Sequence, residues 1–241
     1  MGDVAGLSMG QGFFRLLNWN LPLSASFIFV ATSSDAERLH PCHLFKTGTE
    51  FVTQTLYMPL EDVRHTLTIP EVYFEDAFDR VDGSEHRAQL FRVMIDDFTP
   101  VTRRDTAKLI KSPQPNYFDF VLQDVIALPH SLRVAAESMA TGDGRDMSAY
   151  KEERTDFGLL ALLPRSGQER FREVFVAREE SGELIAVFNC SNNPTFVNQG
   201  CNQSFRSNGV DVQMTYRRIH LDNWRELQDS VSDFLFCALT Q

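Results

Sequence analysis

The chain has 241 residues, 43% apolar and 23% charged. This globular composition excludes a disordered tail, a collagen-like fibre and a polytopic membrane protein. Lys plus Arg number 23 against 33 acids, for a net charge of −10, so a phosphate backbone is a poor partner and a basic protein a better one.

Residues 13–32 come first, with Phe13, Phe14, Leu16, Leu17, Trp19, Phe27, Ile28, Phe29 and Val30. Asn18, Asn20 and Pro22 interrupt the stretch, so no stable membrane span of about 18 apolar residues is expected. The small residues Ala31, Thr32 and Ser33 fit the end of a signal core, and a buried strand over 26–31 fits as well. Strands are expected over 51–57, 65–69 and 89–95. Residues 70–82 read as a short helix or an acidic loop, and 100–115 as a polar, Pro-bounded loop. The run 117–126 fits a strand or a helix. Leu132, Ala135, Ala136 and Met139 have helical spacing behind Pro129, and a turn follows at 141–146.

The second half predicts strands over 158–163, 171–178 and 183–188, then a hairpin over 205–216 turning at Asn208-Gly209, where both positions tolerate positive φ. Trp224, Leu227, Val231, Phe234, Leu235 and Ala238 form one apolar helical stripe, with Asp222 as the expected N-cap. The expected fold is therefore α+β: an antiparallel β-meander with a C-terminal amphipathic helix packed on one face. A single compact domain over 1–241 fits, as does a division into lobes 1–145 and 146–241.

Of the four cysteines, Cys190 and Cys201 flank a loop rich in Asn, Pro and Gly that a disulfide can close; two half-buried thiols are the alternative. Cys237 falls on the apolar side of the last helix and reads as packing. His40-Pro41-Cys42-His43 places soft ligands close together, but too crowded and without a distant partner motif, so no metal is expected. Gly6-Leu7-Ser8-Met9-Gly10 matches the nucleophile-elbow pattern without the strand that must precede it. No phosphate-binding glycine motif or HExxH occurs, His40, His43, His65, His86, His130 and His220 are scattered, and no cofactor is implied.

The acids concentrate in residues 71–97, where Glu71, Glu75, Asp76, Asp79, Asp82, Glu85, Asp96 and Asp97 face Arg80, Arg87 and Arg92. A solvated face explains such a run. As a docking surface, Tyr73, Phe74 and Phe78 are the expected apolar anchors, with Glu75, Asp76, Asp79 and Asp82 at the rim.

The tail carries a cadence: Phe188-Asn189-Cys190, then Cys201-Asn202-Gln203-Ser204-Phe205, then Tyr216-Arg217-Arg218-Ile219-His220-Leu221-Asp222-Asn223-Trp224 opening the last helix. It resembles small bacterial proteins encoded beside type VI secretion effectors, which act as their immunity proteins. The likeness covers residues 188–241, and begins at 150 if the run 150–163 is included. Gln203 stands where the pattern has a His. The resemblance implies no catalytic residues. It implies binding and neutralisation of a cognate toxin, and the acidic charge favours a basic one. A small periplasmic hydrolase with a carboxylate-lined cleft and an accessory structural subunit of a secretion apparatus are the competing expectations. The sequence leaves open a homodimer, and leaves the compartment between the cytoplasm and the periplasm of a Gram-negative cell.

Overall fold

A computed structural model of the chain describes residues 40–48, 50–112, 115–125, 127–139, 146–167 and 171–240. The elbow-like motif at Gly6 to Gly10, the apolar stretch 13–32 and most of the turn 141–146 lie outside the described residues.

A short helix α1 (His43–Thr47) leads into β1 (Phe51–Met58) and β2 (Val63–Pro70), paired antiparallel from Phe51↔Pro70 to Met58↔Val63. Every second residue of β1 is buried, as the period of a strand with one covered face requires. Two 3-10 turns, Glu71–Tyr73 and Ala77–Asp79, return the chain to β3 (Glu85–His86), which runs parallel to β1. Then come β4 (Ala88–Met94), α2 (Arg103–Leu109), β5 (Tyr117–Gln123) and α3 (Leu128–Met139). The stretch 117–126 is thus a strand, with Phe118, Phe120 and Leu122 buried on one face.

The expected loop 100–115 contains α2. It carries no apolar stripe, only Thr106 being buried, so periodicity could not reveal it. Its signal is the cap: Thr102 accepts from the Asp105 amide at 3.2 Å and donates to the Asp105 carboxylate at 2.7 Å.

The remaining strands are β6 (Tyr150–Arg154), β7 (Leu160–Pro164), β8 (Arg172–Arg178), β9 (Leu184–Ser191), β10 (Gly200–Ser207) and β11 (Val210–Arg217), before α4 (Trp224–Leu239). β6 was not expected; four of its five residues are charged, the pattern by which an edge strand discourages pairing with another chain. Among the described residues, eight strands form one antiparallel sheet in the order β4-β5-β11-β10-β9-β8-β7-β6. β6 to β11 are a meander, and β5 and β4 extend it beside β11. Strands from before and after residue 145 therefore share one sheet.

Asn208 and Gly209 take φ of 52° and 81° in the β10–β11 turn, the double positive φ that a two-residue hairpin needs. The alternation of side chains splits the sheet's two faces into separate cores. Val174, Val176 and Val187 pack with Leu132, Ala136 and Met139 of α3. Phe175, Ala177, Ala186 and Phe188 point the other way, toward α4. There Trp224 meets Phe188 edge-on at 5.4 Å, and Phe234 lies 5.3 Å from Phe91 and 5.4 Å from Phe120. The helix thus crosses the face from β9 to β4, and its whole apolar stripe is buried. α4 also contacts β2, whose Leu67 and Ile69 belong to the same core.

Asp222 does not cap α4. It lies in a 3-10 turn, Arg218–Asn223, and the Trp224 amide bonds back to the Leu221 carbonyl, so the helix start is satisfied by backbone.

Cys190 and Cys201 are opposite each other in the β9–β10 ladder, with Cα atoms 4.0 Å apart, and are disulfide-bonded. Cys237 is bonded to Cys42, with Cα atoms 5.8 Å apart. The packing role expected for Cys237 is corrected to a crosslink, and Cys42 has no thiolate to offer a metal. The pairing spans 195 positions, so no local spacing announces it.

Candidate partner-binding surface

The segment 71–97 was expected to carry apolar anchors within an acidic rim. The fold turns the anchors inward. Tyr73 is 3% exposed and Phe74 1%, so neither can touch a partner. The Tyr73 ring lies 4.9 Å from Phe234, and Phe74 lies 5.6 Å from Phe91. Burial holds the Tyr73 phenol far above its usual range, and its hydroxyl donates to the Pro41 carbonyl at 3.4 Å. An irregular segment has no fixed period, so the sequence does not say which of its aromatics face the core. Phe78 does face solvent, at 89% exposure.

The carboxylates of this segment are mostly engaged within the protein. Glu75 accepts from Arg92 at 3.0 Å, and Arg92 also bonds Asp119 and the Thr106 hydroxyl. Burial acts to lower the Arg92 pKa, but the hydrogen bond and charge of Asp119 together with the charges of Glu75 and Tyr117 outweigh it and hold the guanidinium more firmly charged. Asp76 pairs with Arg103 at 2.8 Å, and Glu71 with Arg80 at 3.0 Å. Asp82 accepts from the Thr53 amide at 2.8 Å, and the Asp79 backbone carbonyl accepts from Gln54. These bonds fasten the segment to β1, β4, β5 and α2. Glu71, Glu75 and Asp76 are thus matched by Arg80, Arg92 and Arg103, and Asp82 is held by a backbone amide.

At the end of the sheet where β8 turns into β9, a cavity of about 730 Å³ is lined by Leu60, Glu61, Asp124, Glu179, Glu183, Arg206, Asp211, Arg225 and Asp229, among others. It is the feature nearest to the carboxylate-lined cleft of a hydrolase. Burial pushes the Asp211 carboxyl up, against the opposing pull of the Val125 amide and Arg206. Asp211 accepts from that amide at 3.1 Å and lies 3.5 Å from Arg206, which also clamps Glu61. Asp124 accepts from the Leu60 amide. Asp211 and Asp124 each hold a backbone N–H of a neighbouring loop, which is a tethering geometry. A Ser–His contact elsewhere, Ser84 Oγ to His86 Nε2 at 2.7 Å, has the hydroxyl directed to the Val81 carbonyl at 2.6 Å and no carboxylate behind the imidazole among the described residues.

The opposite end of the sheet carries the β9–β10 connection. The Cys190–Cys201 bond closes its base. Within it, the Asn193 side chain accepts from the Thr195 amide at 3.0 Å and hydroxyl at 2.7 Å, and the Asn193 carbonyl accepts from the Phe196 amide at 3.0 Å. The Asn192 amide donates to the Phe171 carbonyl at 2.8 Å, and the Arg218 amide to the Gln199 carbonyl at 2.9 Å. These bonds tie Asn192, Asn193 and Thr195 into the loop and its base, while Phe196 is 59% and Val197 90% exposed. Phe171, also exposed, stands at the start of β8. Beside the loop, a groove of about 820 Å³ runs between Pro194, Leu162, Val174 and Phe175.

No family model matches the sequence, and no curated protein matches it. Among solved structures, an immunity protein of the Stenotrophomonas maltophilia type IV secretion system shares the fold, with a TM-score of 0.53 at 14% identity over 73% of this chain and 90% of that one. The iron-regulated outer membrane lipoprotein FrpD of Neisseria meningitidis matches with a TM-score of 0.46 at 12% identity, over 85% of this chain and 96% of that one.

The loop residues were passed over in the sequence because Asn, Pro and Gly surround them. The one available signal was the pair of aliphatic and aromatic residues, Phe196-Val197, inside a turn-forming stretch closed by two cysteines.

Proposed function

We propose that this protein is an immunity protein, binding a cognate bacterial toxin and blocking it by occupation rather than by turnover. The observation that carries the reading is the fold shared with a secretion-system immunity protein over nine-tenths of that chain. Two carboxylates of the acidic cleft, Asp124 and Asp211, serve as backbone tethers and Glu61 is clamped by Arg206, which fits a binding protein better than a hydrolase.

The finer points extend the same proposal. The toxin is one delivered between bacteria by a secretion machine. The tail cadence favours a type VI effector, and the fold neighbour serves a type IV system. Two disulfides favour an oxidising compartment, the periplasm, for the encounter. A net charge of −10 acts at long range and draws in a basic toxin, whichever face then docks.

The test is rescue. The secreted protein encoded by the adjacent gene is expressed in a bacterial host, directed to the periplasm, with and without this chain. Growth restored only by co-expression is the expected result. Continued killing, or hydrolysis of generic ester, phosphate or glycoside substrates by the isolated chain, contradicts the reading.

A further inference from the structure

Resting on the immunity reading, we propose that the disulfide-closed loop 192–199, with Phe171 and Arg172 beside it, is the toxin-docking face, and that it fits an apolar toxin pocket rimmed by carboxylates. The argument begins with cost. Val197 and Phe196 hold large apolar side chains in water on a loop shaped by its own Asn193 and Gln199 hydrogen bonds. Core packing does not need them there, and exposed apolar groups held in one place mark interaction surfaces.

The loop is also fixed before any partner arrives. The Cys190–Cys201 bond closes its base, the Asn193 turn shapes its middle, and Asn192 bonds Glu173 at 3.1 Å, a residue that Arg218 grips from the other side. Anchors on a pre-ordered loop lose little freedom on binding, which is how a small apolar contact gives high affinity.

Charge names the other half of the partner. Arg172 lines the groove beside the loop, exposed and without a partner among the described residues, whereas Lys151 is paired with Glu153, and Glu173, the one acid among the described residues of the groove wall, is held by Arg218. A chain with a net charge of −10 thus sets one available cation, Arg172, beside apolar anchors. The complementary surface is apolar at its centre with carboxylates around it, and Arg172 can take one of these in a bidentate bond.

The test uses the full chain and the purified secreted protein encoded by the adjacent gene, titrated by calorimetry. Val197→Asp and Phe196→Ala are expected to weaken binding roughly thirtyfold or more, as loss of a central anchor does. Arg172→Glu is expected to weaken it several-fold, less so in high salt. Phe78→Asp, far along the chain on the other exposed segment, should leave affinity unchanged. All four side chains lie in solvent, so melting temperatures should match the parent and misfolding is excluded directly. Unchanged affinity in both Val197→Asp and Phe196→Ala overturns the docking face while leaving the immunity reading intact. A parent chain that neither binds nor protects overturns the immunity reading itself, and the docking face with it. Light scattering completes the test: a dimeric parent, a monomeric Val197→Asp variant and equal toxin affinity in both would assign the loop to a second copy of this chain and overturn the proposal.

Discussion

Between β2 and β4 the chain buries Tyr73 and Phe74 and turns its carboxylates onto Arg80, Arg92 and Arg103. Between β9 and β10 it does the reverse: Asn192 and Asn193 bond inward, and Phe196 and Val197 stand in water. In composition the first segment looks like a docking surface and the second like an ordinary turn. Charge density therefore does not identify a binding face when arginines of the same segment and of the adjacent helix α2 take up the carboxylates. An apolar side chain that a rigid loop holds in solvent is the more informative feature.

The largest effect that separates the two regions is on stability. Phe74→Ala removes a fully buried ring and is expected to cost roughly 3–5 kcal/mol, whereas Phe196→Ala should stay within about 0.5 kcal/mol of the parent. Chemical denaturation of both variants reads this contrast, and equal losses would erase it.

The comparison also explains what the sequence made legible. The stripe of α4, the Asn208-Gly209 hairpin and the alternating strands follow from local period and turn chemistry, and they are where expected. α2 and β6 were hidden because their faces are polar or charged. The inward turn of Tyr73 and the Cys42–Cys237 bond depend on contacts made far along the chain, with Phe234 and across 195 positions, which no window of sequence contains.

Next in size, Glu75→Lys sets a cation beside Arg92, where the partner side chains are only 16% and 12% exposed. It is expected to cost about 3 kcal/mol, since it puts two cations side by side in a half-buried site and leaves Asp119 as the one carboxylate on Arg92. A surface role for Glu75 predicts an unchanged melting temperature instead. On the loop side, replacing both Cys190 and Cys201 with Ser opens a link of sequence separation 11, with an expected loss of about 2–3 kcal/mol by loop entropy. Reducing agent should cost the parent more than this, because it also opens Cys42–Cys237, and should cost the double variant the Cys42–Cys237 share alone.

A smaller effect depends on pH. His220, two residues beyond the arginine that anchors the loop, has its pKa lowered by burial, with Arg217 adding to that and Asp222 and Asp96 opposing it. The unfolded chain then binds a proton more readily than the folded one. Stability contributed by neutral His220 is complete above the ordinary imidazole value of 6.5 and is lost as pH falls through the lower folded pKa. His220→Gln should flatten the fall in melting temperature below that pH, and an unchanged slope would assign it to other groups.

The central claim, that the β9–β10 loop and not the acidic segment meets the toxin, is tested most directly by amide hydrogen exchange of the intact chain with and without the adjacent-gene toxin. The account predicts new protection at residues 192–199 and at the start of β8, with residues 71–97 unchanged. Protection confined to residues 71–97, with the loop exchanging as before, would contradict it.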